Sequence, residues 1–287
     1  MAHPRIVLTI AGSDSSGGAG IQADIKTISA LGGYASSAIT ALTAQNTQGV
    51  QAIEAASLDI LKSQIESVFE DLPVAAVKIG MLHSREVVHL VADCLSHFRP
   101  KHVVLDPVMI ATSGDVLVQP SAIKALVERL FPLASLITPN LDEAAHLLGR
   151  SLKTIADMET AGQDLITMGA QAVLIKGGHL PPNAHADILD LLVERSAADP
   201  LHASSESAPI VHRFEKSRIL TQNTHGTGCS LSSAIATHLA HGESLPQAVR
   251  LAQDYVHQGL LQAQSMQVGS GAGPINHFFQ PRALVLH

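Results

Sequence analysis

IVLTIAGSDSSGGAGIQADIKTISAL, residues 6–31, moves from one structural period to another within a few residues. Ile6–Ile10 is a short, β-rich apolar run, whereas Ile21–Leu31 repeats its apolar residues at helical spacing. The glycine- and serine-rich turn from Gly12 to Gly20 joins them. A buried strand feeding a helix through such a turn is the opening unit of an α/β fold. The same alternation recurs downstream. Strands are expected at Ala38–Thr43, Ala76–Ile79, Val103–Leu105, Leu136–Thr138 and Val173–Ile175. Helices are expected near Leu58–Phe69, Glu86–Phe98, Ser121–Phe131 and Met158–Met168. Right-handed crossovers then give a mostly parallel central sheet with helices on both faces, a three-layer α/β sandwich. Ile188–Val193 and Arg213–Ile219 read as a hairpin-like edge, separated by an exposed Ala/Ser/Pro loop at Ser196–Pro209. Ser230–Ala240 and Leu245–Gln264 are expected helices, followed by a glycine-rich tail, Gly269–Pro274. With no clear linker and no internal repeat, residues 1–287 read as a single domain.

Composition removes several function classes. The chain has 287 residues, 46% of them hydrophobic, with a formal net charge of −7 and no tryptophan. A basic nucleic-acid surface and aromatic stacking platforms are not expected from such a chain. No apolar run is long enough to span a bilayer, and no secretory leader is recognisable. Cys94 and Cys229 make no disulfide framework, so a cytoplasmic, reducing setting is expected.

In open parallel sheets, ligands gather at the carboxyl ends of the strands. Polar or glycine clusters fall there repeatedly: Gly12-Ser13-Asp14, Gln45-Asn46, Lys78-Ile79-Gly80-Met81, Asp106-Pro107-Val108-Met109, Pro139-Asn140 and Lys176-Gly177-Gly178-His179. Gly18-Ala19-Gly20-Ile21-Gln22-Ala23 formally matches a dinucleotide fingerprint, but the acid that should follow about 20 residues on is missing. The turn is better read as close backbone approach to a ligand, with Asp24 projecting from the first helix. A P-loop, HExxH, CxxC, EF-hand and hydrolase elbow are all absent.

Asn223-Thr224-His225-Gly226-Thr227-Gly228-Cys229 delivers a cysteine to the start of a helix. Its amides and the helix dipole suit a phosphate or an oxyanion. The same field should lower the pKa of the thiol. His225 and Cys229 could suggest a thiol hydrolase, but the turn should aim His225 elsewhere. Phosphoryl transfer uses the pieces better. The Gly226–Cys229 amides, Gly226 and Gly228 among them, form an anion hole for the transferred group. Lys176 can reach a phosphate. Asn140 and Glu143, entering a helix, suit Mg²⁺ or its waters, with Asp106 as a further metal partner. Glu143 could equally be a first-turn acid that stabilises its own helix.

Together these segments resemble the ribokinase-like superfamily and, within it, the hydroxymethylpyrimidine/phosphomethylpyrimidine kinase family of thiamine biosynthesis. The resemblance runs through TIAGSDSSGGAGIQAD (9–24), ITALTAQNTQGV (39–50), KIGML (78–82), LDPVMIATSG (105–114), TPNL (138–141), IKGGHL (175–180), NTHGTGC (223–229) and GSGAGPINH (269–277). It implies a ribokinase-like kinase that uses ATP and Mg²⁺ to phosphorylate an aminopyrimidine alcohol and then its monophosphate. By the same resemblance Cys229 takes the place of the aspartate base of sugar kinases. Gln45 maps to the residue that reads the aminopyrimidine edge, and Gly12, Asp24, Met81 and Val108 map to the pocket around the ring. Asn140, Thr227, Glu143 and Lys176 map to the magnesium–nucleotide side. A cytoplasmic homodimer is implied as well. Residues 181–211 follow no family pattern, and Gln222 stands where a basic residue is common. The alternatives are a pyridoxal or pyridoxine kinase of the same fold and a noncatalytic pyrimidine-binding protein.

Overall fold

A computed structural model describes residues 2–109, 117–178, 187–196 and 208–286. Its main sheet is built from β1 (Ile6–Ala11), β2 (Tyr34–Ile39), β5 (Val74–Ile79), β6 (Val103–Leu105), β7 (Leu136–Ile137), β8 (Ala172–Ile175), β9 (Asp187–Glu194) and β10 (Ile210–Ser217). The order is β10-β9-β8-β7-β6-β5-β1-β2. The six strands from β8 to β2 run parallel, and β9 and β10 close one edge antiparallel. The remaining strands, β3 (Ala41–Asn46) and β4 (Gly49–Ala55), form a separate antiparallel hairpin.

Two cores follow from the strand period of two. In β1, Leu8 and Ile10 pack into the core covered by α2 (Leu58–Asp71), α3 (Arg85–Phe98), α4 (Pro120–Ala125), α5 (Leu141–Leu148) and α6 (Ile155–Thr167). Val7 faces the other core, under α1 (Gly20–Ala30), α7 (Thr227–Ala240) and α8 (Leu245–Ala263). This is the three-layer sandwich expected from the alternation. Helix α3 shows how the sequence enforces it. Ser84 caps its start by accepting from the Val87 amide, and Val87, Val88, Val91, Ala92 and Leu95 make one buried stripe. Burying each of the valine and leucine side chains contributes about 1.5–3 kcal/mol. Among the described residues, no helix is long and apolar enough to cross a membrane.

Two expectations need correction. The expected strand Ala38–Thr43 is two strands in two sheets. Fully buried Thr40 is the break: its amide donates to the Ala11 carbonyl at 2.9 Å and its hydroxyl to the Met81 carbonyl at 2.8 Å. From Ala41 the chain leaves the main sheet for the hairpin, so Gln45 and Asn46 lie within a strand instead of after one. The helix expected over Ser121–Phe131 begins at Pro120, widens to a π-type turn at Leu126–Leu130 and ends in a 3-10 turn at Phe131–Leu133. Pro132 has no N–H to continue an α-helical ladder. Most of the expected Ser196–Pro209 loop lies outside the described residues.

Candidate active site

The carboxyl ends of β1, β5, β6, β7 and β8 open onto one cavity of about 730 Å³. Strand order reverses at β1, which has β5 on one side and β2 on the other, the place where open α/β sheets bind ligands. Every candidate site residue named from the sequence lines this cavity except Asp24.

One end is built by backbone. Gly226 adopts φ 74°, and a Cβ there would lie 1.9 Å from the Gly18 carbonyl oxygen. The two glycine-rich turns therefore interlock only with glycine at this position. The turn runs straight into α7, whose first-turn amides at Gly228 and Cys229 have no partner within the helix and carry its positive dipole end. The Thr227 hydroxyl bonds back to the Thr224 carbonyl at 3.0 Å, holding the turn's shape.

Beside these amides lies a charged cluster. Lys176 Nζ donates to Asp106 Oδ1 at 3.0 Å and stands 4.0 Å from Glu143 Oε2. Burial works against the ammonium, but the Asp106 and Glu143 carboxylates hold its pKa well above the usual lysine range. A Cβ added to Gly228 would meet both Asp106 Oδ2 and Lys176 Nζ at 3.4 Å, so the turn sits directly on the pair. Asn140 and Glu143 form a reciprocal capping box at the start of α5. Glu143 thus has the helix-stabilising role and also lines the cavity. Burial pushes its carboxyl up to about 7, against the pull of Lys176 and with the push of Asp106.

The rest of the wall is formed by the β3–β4 hairpin and the loops after β1, β5 and β6. Thr43 donates to Gln45 Oε1 at 3.2 Å, and the Ser15 hydroxyl holds the Gln45 backbone. The hairpin tip is strapped by the glycine-rich tail, where the Gly271 amide donates to Thr47 at 3.1 Å. Met81 closes the wall against Gly12, where a Cβ would come within 2.6 Å of the Met81 methyl carbon. Val108 and Met109 add apolar surface. The result is a cavity whose lining combines a side-chain amide, apolar surface and an anion cradle.

Two sequence expectations fail on physical grounds. Asp24 does not reach the cavity. It is fully buried behind the wall, with Lys78 Nζ 2.8 Å from each carboxylate oxygen and with the Thr9 and Ser233 hydroxyls donating to it. The Cys229 thiol, half-buried at the start of α7, does not have the lowered pKa expected from the dipole. Burial pushes it up to about 11; Lys78 and the Gly20 amide pull it down, while Asp24 and Asp106 push it further up.

Three further residues shape the site. Asp14 accepts from the Ser16, Gly18 and Ala19 amides and the Ser16 hydroxyl at 2.7–3.0 Å, shaping the first turn. His225 meets Asp14 at 2.8 Å. Lys78, in the Lys78-Ile79-Gly80-Met81 cluster at the end of β5, also lines the cavity while pairing with Asp24.

A model of the phosphomethylpyrimidine kinase family matches residues 14–276. The hydroxymethylpyrimidine/phosphomethylpyrimidine kinase of Rhizobium meliloti (strain 1021) is 48% identical over 277 residues, which is 95% of this chain and 97% of its own length. Among solved structures, phosphomethylpyrimidine kinase from Clostridium difficile 630 is 43% identical, with a TM-score of 0.75 over 88% of this chain and 98% of its own. The ADP complex of Bacillus subtilis pyridoxal kinase is 34% identical, with a TM-score of 0.82 over 96% of this chain and 98% of its own.

Proposed function

The chain belongs to the phosphomethylpyrimidine kinase family, and from that premise we propose that it phosphorylates 4-amino-5-hydroxymethyl-2-methylpyrimidine and then its monophosphate with ATP, in thiamine biosynthesis. The observation that carries this reading is that one cavity brings together Gln45, the Gly226–Cys229 turn and the Lys176–Asp106 pair. An amide both donates and accepts, which suits a ring nitrogen beside an exocyclic amine.

In this reading the acceptor alcohol lies against Cys229 and the γ-phosphoryl group of ATP lies over the turn. The alcohol oxygen attacks phosphorus, the new O–P bond forms, and the bond to the β,γ-bridging oxygen breaks as ADP leaves. The hydroxyl proton passes to the Cys229 thiolate. The Gly228 and Cys229 amides and Lys176 hold the charge on the transferred group. Asn140 and Thr227 line the nucleotide side.

Among the described residues, no group of three or more His, Cys, Asp or Glu surrounds a metal position. Magnesium needs less, since it commonly takes one or two carboxylates and fills its shell with phosphate and water oxygens. Asp106 and Glu143 fit that donor set and would hold it; bound there, it would neutralise phosphate charge. The reading includes one kinase domain over residues 1–287, acting in the cytoplasm as a homodimer. The β3–β4 hairpin, standing off the main sheet with Leu42 exposed, suits contact with a second copy.

Incubation with the pyrimidine alcohol and Mg-ATP, followed by ³¹P NMR of the products, tests the reading. A monophosphate that converts to a diphosphate is expected. ATP left intact in the presence of the pyrimidine would favour a noncatalytic binding protein instead.

A further inference from the structure

The Asp24–Lys78 pair lies inside the core that α1 and α7 make with the sheet. Both side chains are fully buried, amid apolar neighbours such as Ala76, Ile28 and Ile235. A buried ion pair usually gains no stability over apolar side chains of similar volume. Sheet packing therefore gives no reason for it. Its location does. Ser233, which donates to Asp24 at 2.8 Å, is four residues beyond Cys229 on α7 and shares its helix face. Lys78 lines the same cavity as Cys229. Glycine at position 80 leaves room for the lysine head, since a Cβ there would lie 2.8 Å from Nζ.

We propose that Lys78 and Asp24 are positioning residues that set the charge state of Cys229: the ammonium is the counter-ion the thiolate requires, and Asp24 holds it in place while competing for it. This rests on the reading of Cys229 as the proton acceptor. The charged groups acting on the sulfur are Lys78 from β5, Asp24 from α1, Asp106 after β6 and Lys176 after β8, with the Gly20 amide as a direct donor. Lys78 is the strongest of the charges. At rest Asp24 claims the ammonium and the thiol keeps its proton. That proton leaves to solvent before turnover, and phosphoryl transfer returns one from the acceptor hydroxyl.

The test is the pH profile of iodoacetamide alkylation in the full chain carrying Cys94→Ser, so that Cys229 is the reporting thiol. Asp24→Asn removes the competing charge, keeps the side-chain shape and leaves one acceptor oxygen where Thr9 and Ser233 donate to two. Its alkylation midpoint should fall by at least about one pH unit, and that of Lys78→Met should rise by a similar amount. Opposite shifts support the proposal; an unmoved or raised midpoint in Asp24→Asn overturns it. If a thermal melt shows Lys78→Met to be unfolded, Asp24→Asn alone decides. The base reading fails separately: normal kcat in Cys229→Ala would reject it while leaving shifted midpoints standing. Unmoved midpoints with a collapsed kcat would reject the coupling alone.

Discussion

His225 Nε2 lies 2.8 Å from Asp14 Oδ2 and so joins the two glycine-rich turns across 211 positions of sequence. One turn follows β1 and the other opens α7. Burial works against the Asp14 charge, yet His225, the Ser16 hydroxyl and the Ser16 and Ala19 amides hold its carboxyl at about 2. Asp14→Ala strips the first turn of its central acceptor. A fall in kcat/KM of about 10–100-fold is expected, together with a lower melting temperature, because several buried donors lose their partner. Unchanged kinetics and melting would remove Asp14 from the account.

Cys229→Ala separates the two phosphorylations. In the first, the acceptor is an alcohol whose proton needs a base, so kcat should fall by roughly 10²–10⁴. In the second, the acceptor is a phosphate oxygen, already largely ionised near pH 7 because the second phosphate pKa is about 6. That step should change little. Single-turnover rates with the alcohol and with its monophosphate check this, and equal losses in both would mean that the cysteine acts in some other way.

Gln45→Ala should raise KM for the pyrimidine by about 10-fold or more and leave KM for Mg-ATP nearly unchanged, because the truncation removes paired hydrogen bonds at one end of the cavity. Lys176→Ala should do the reverse. Steady-state kinetics with each substrate varied in turn measure both, and a variant that raises both constants equally would show its residue to be misplaced.

Much of this site is legible in the sequence because strand ends in a parallel sheet converge by topology alone. Gly12, Asp106, Asn140 and Lys176 needed only the strand alternation to be placed together. The failures are three-dimensional. Asp24 follows a glycine turn, as a ligand-binding acid would, and nothing local reveals that Lys78, 54 residues away, claims it. The dipole argument for Cys229 has the right sign, but burial and two carboxylates outweigh it. Thr40 ends a strand without glycine or proline, because the break is made by its contacts to Ala11 and Met81.

Acid should weaken the fold through two histidines. Burial lowers His238 to about 4, aided by His241 and Arg282, and lowers His277 to about 4, aided by Lys26. The unfolded chain takes up these protons near pH 6.5, and the folded chain only near pH 4. Their contribution is therefore complete above pH 6.5 and is lost as pH falls toward 4, on the order of 2–3 kcal/mol each. Denaturant melts between pH 8 and pH 4 should show this decline, and His238→Gln should flatten part of it. A flat profile in the wild-type chain would contradict the burial argument.

Whether this cavity is built for an aminopyrimidine alcohol is decided by comparing kcat/KM for 4-amino-5-hydroxymethyl-2-methylpyrimidine and for pyridoxal under identical Mg-ATP conditions. The pyrimidine should give the higher value. A higher value for pyridoxal would contradict it and make the protein a pyridoxal kinase on the same fold.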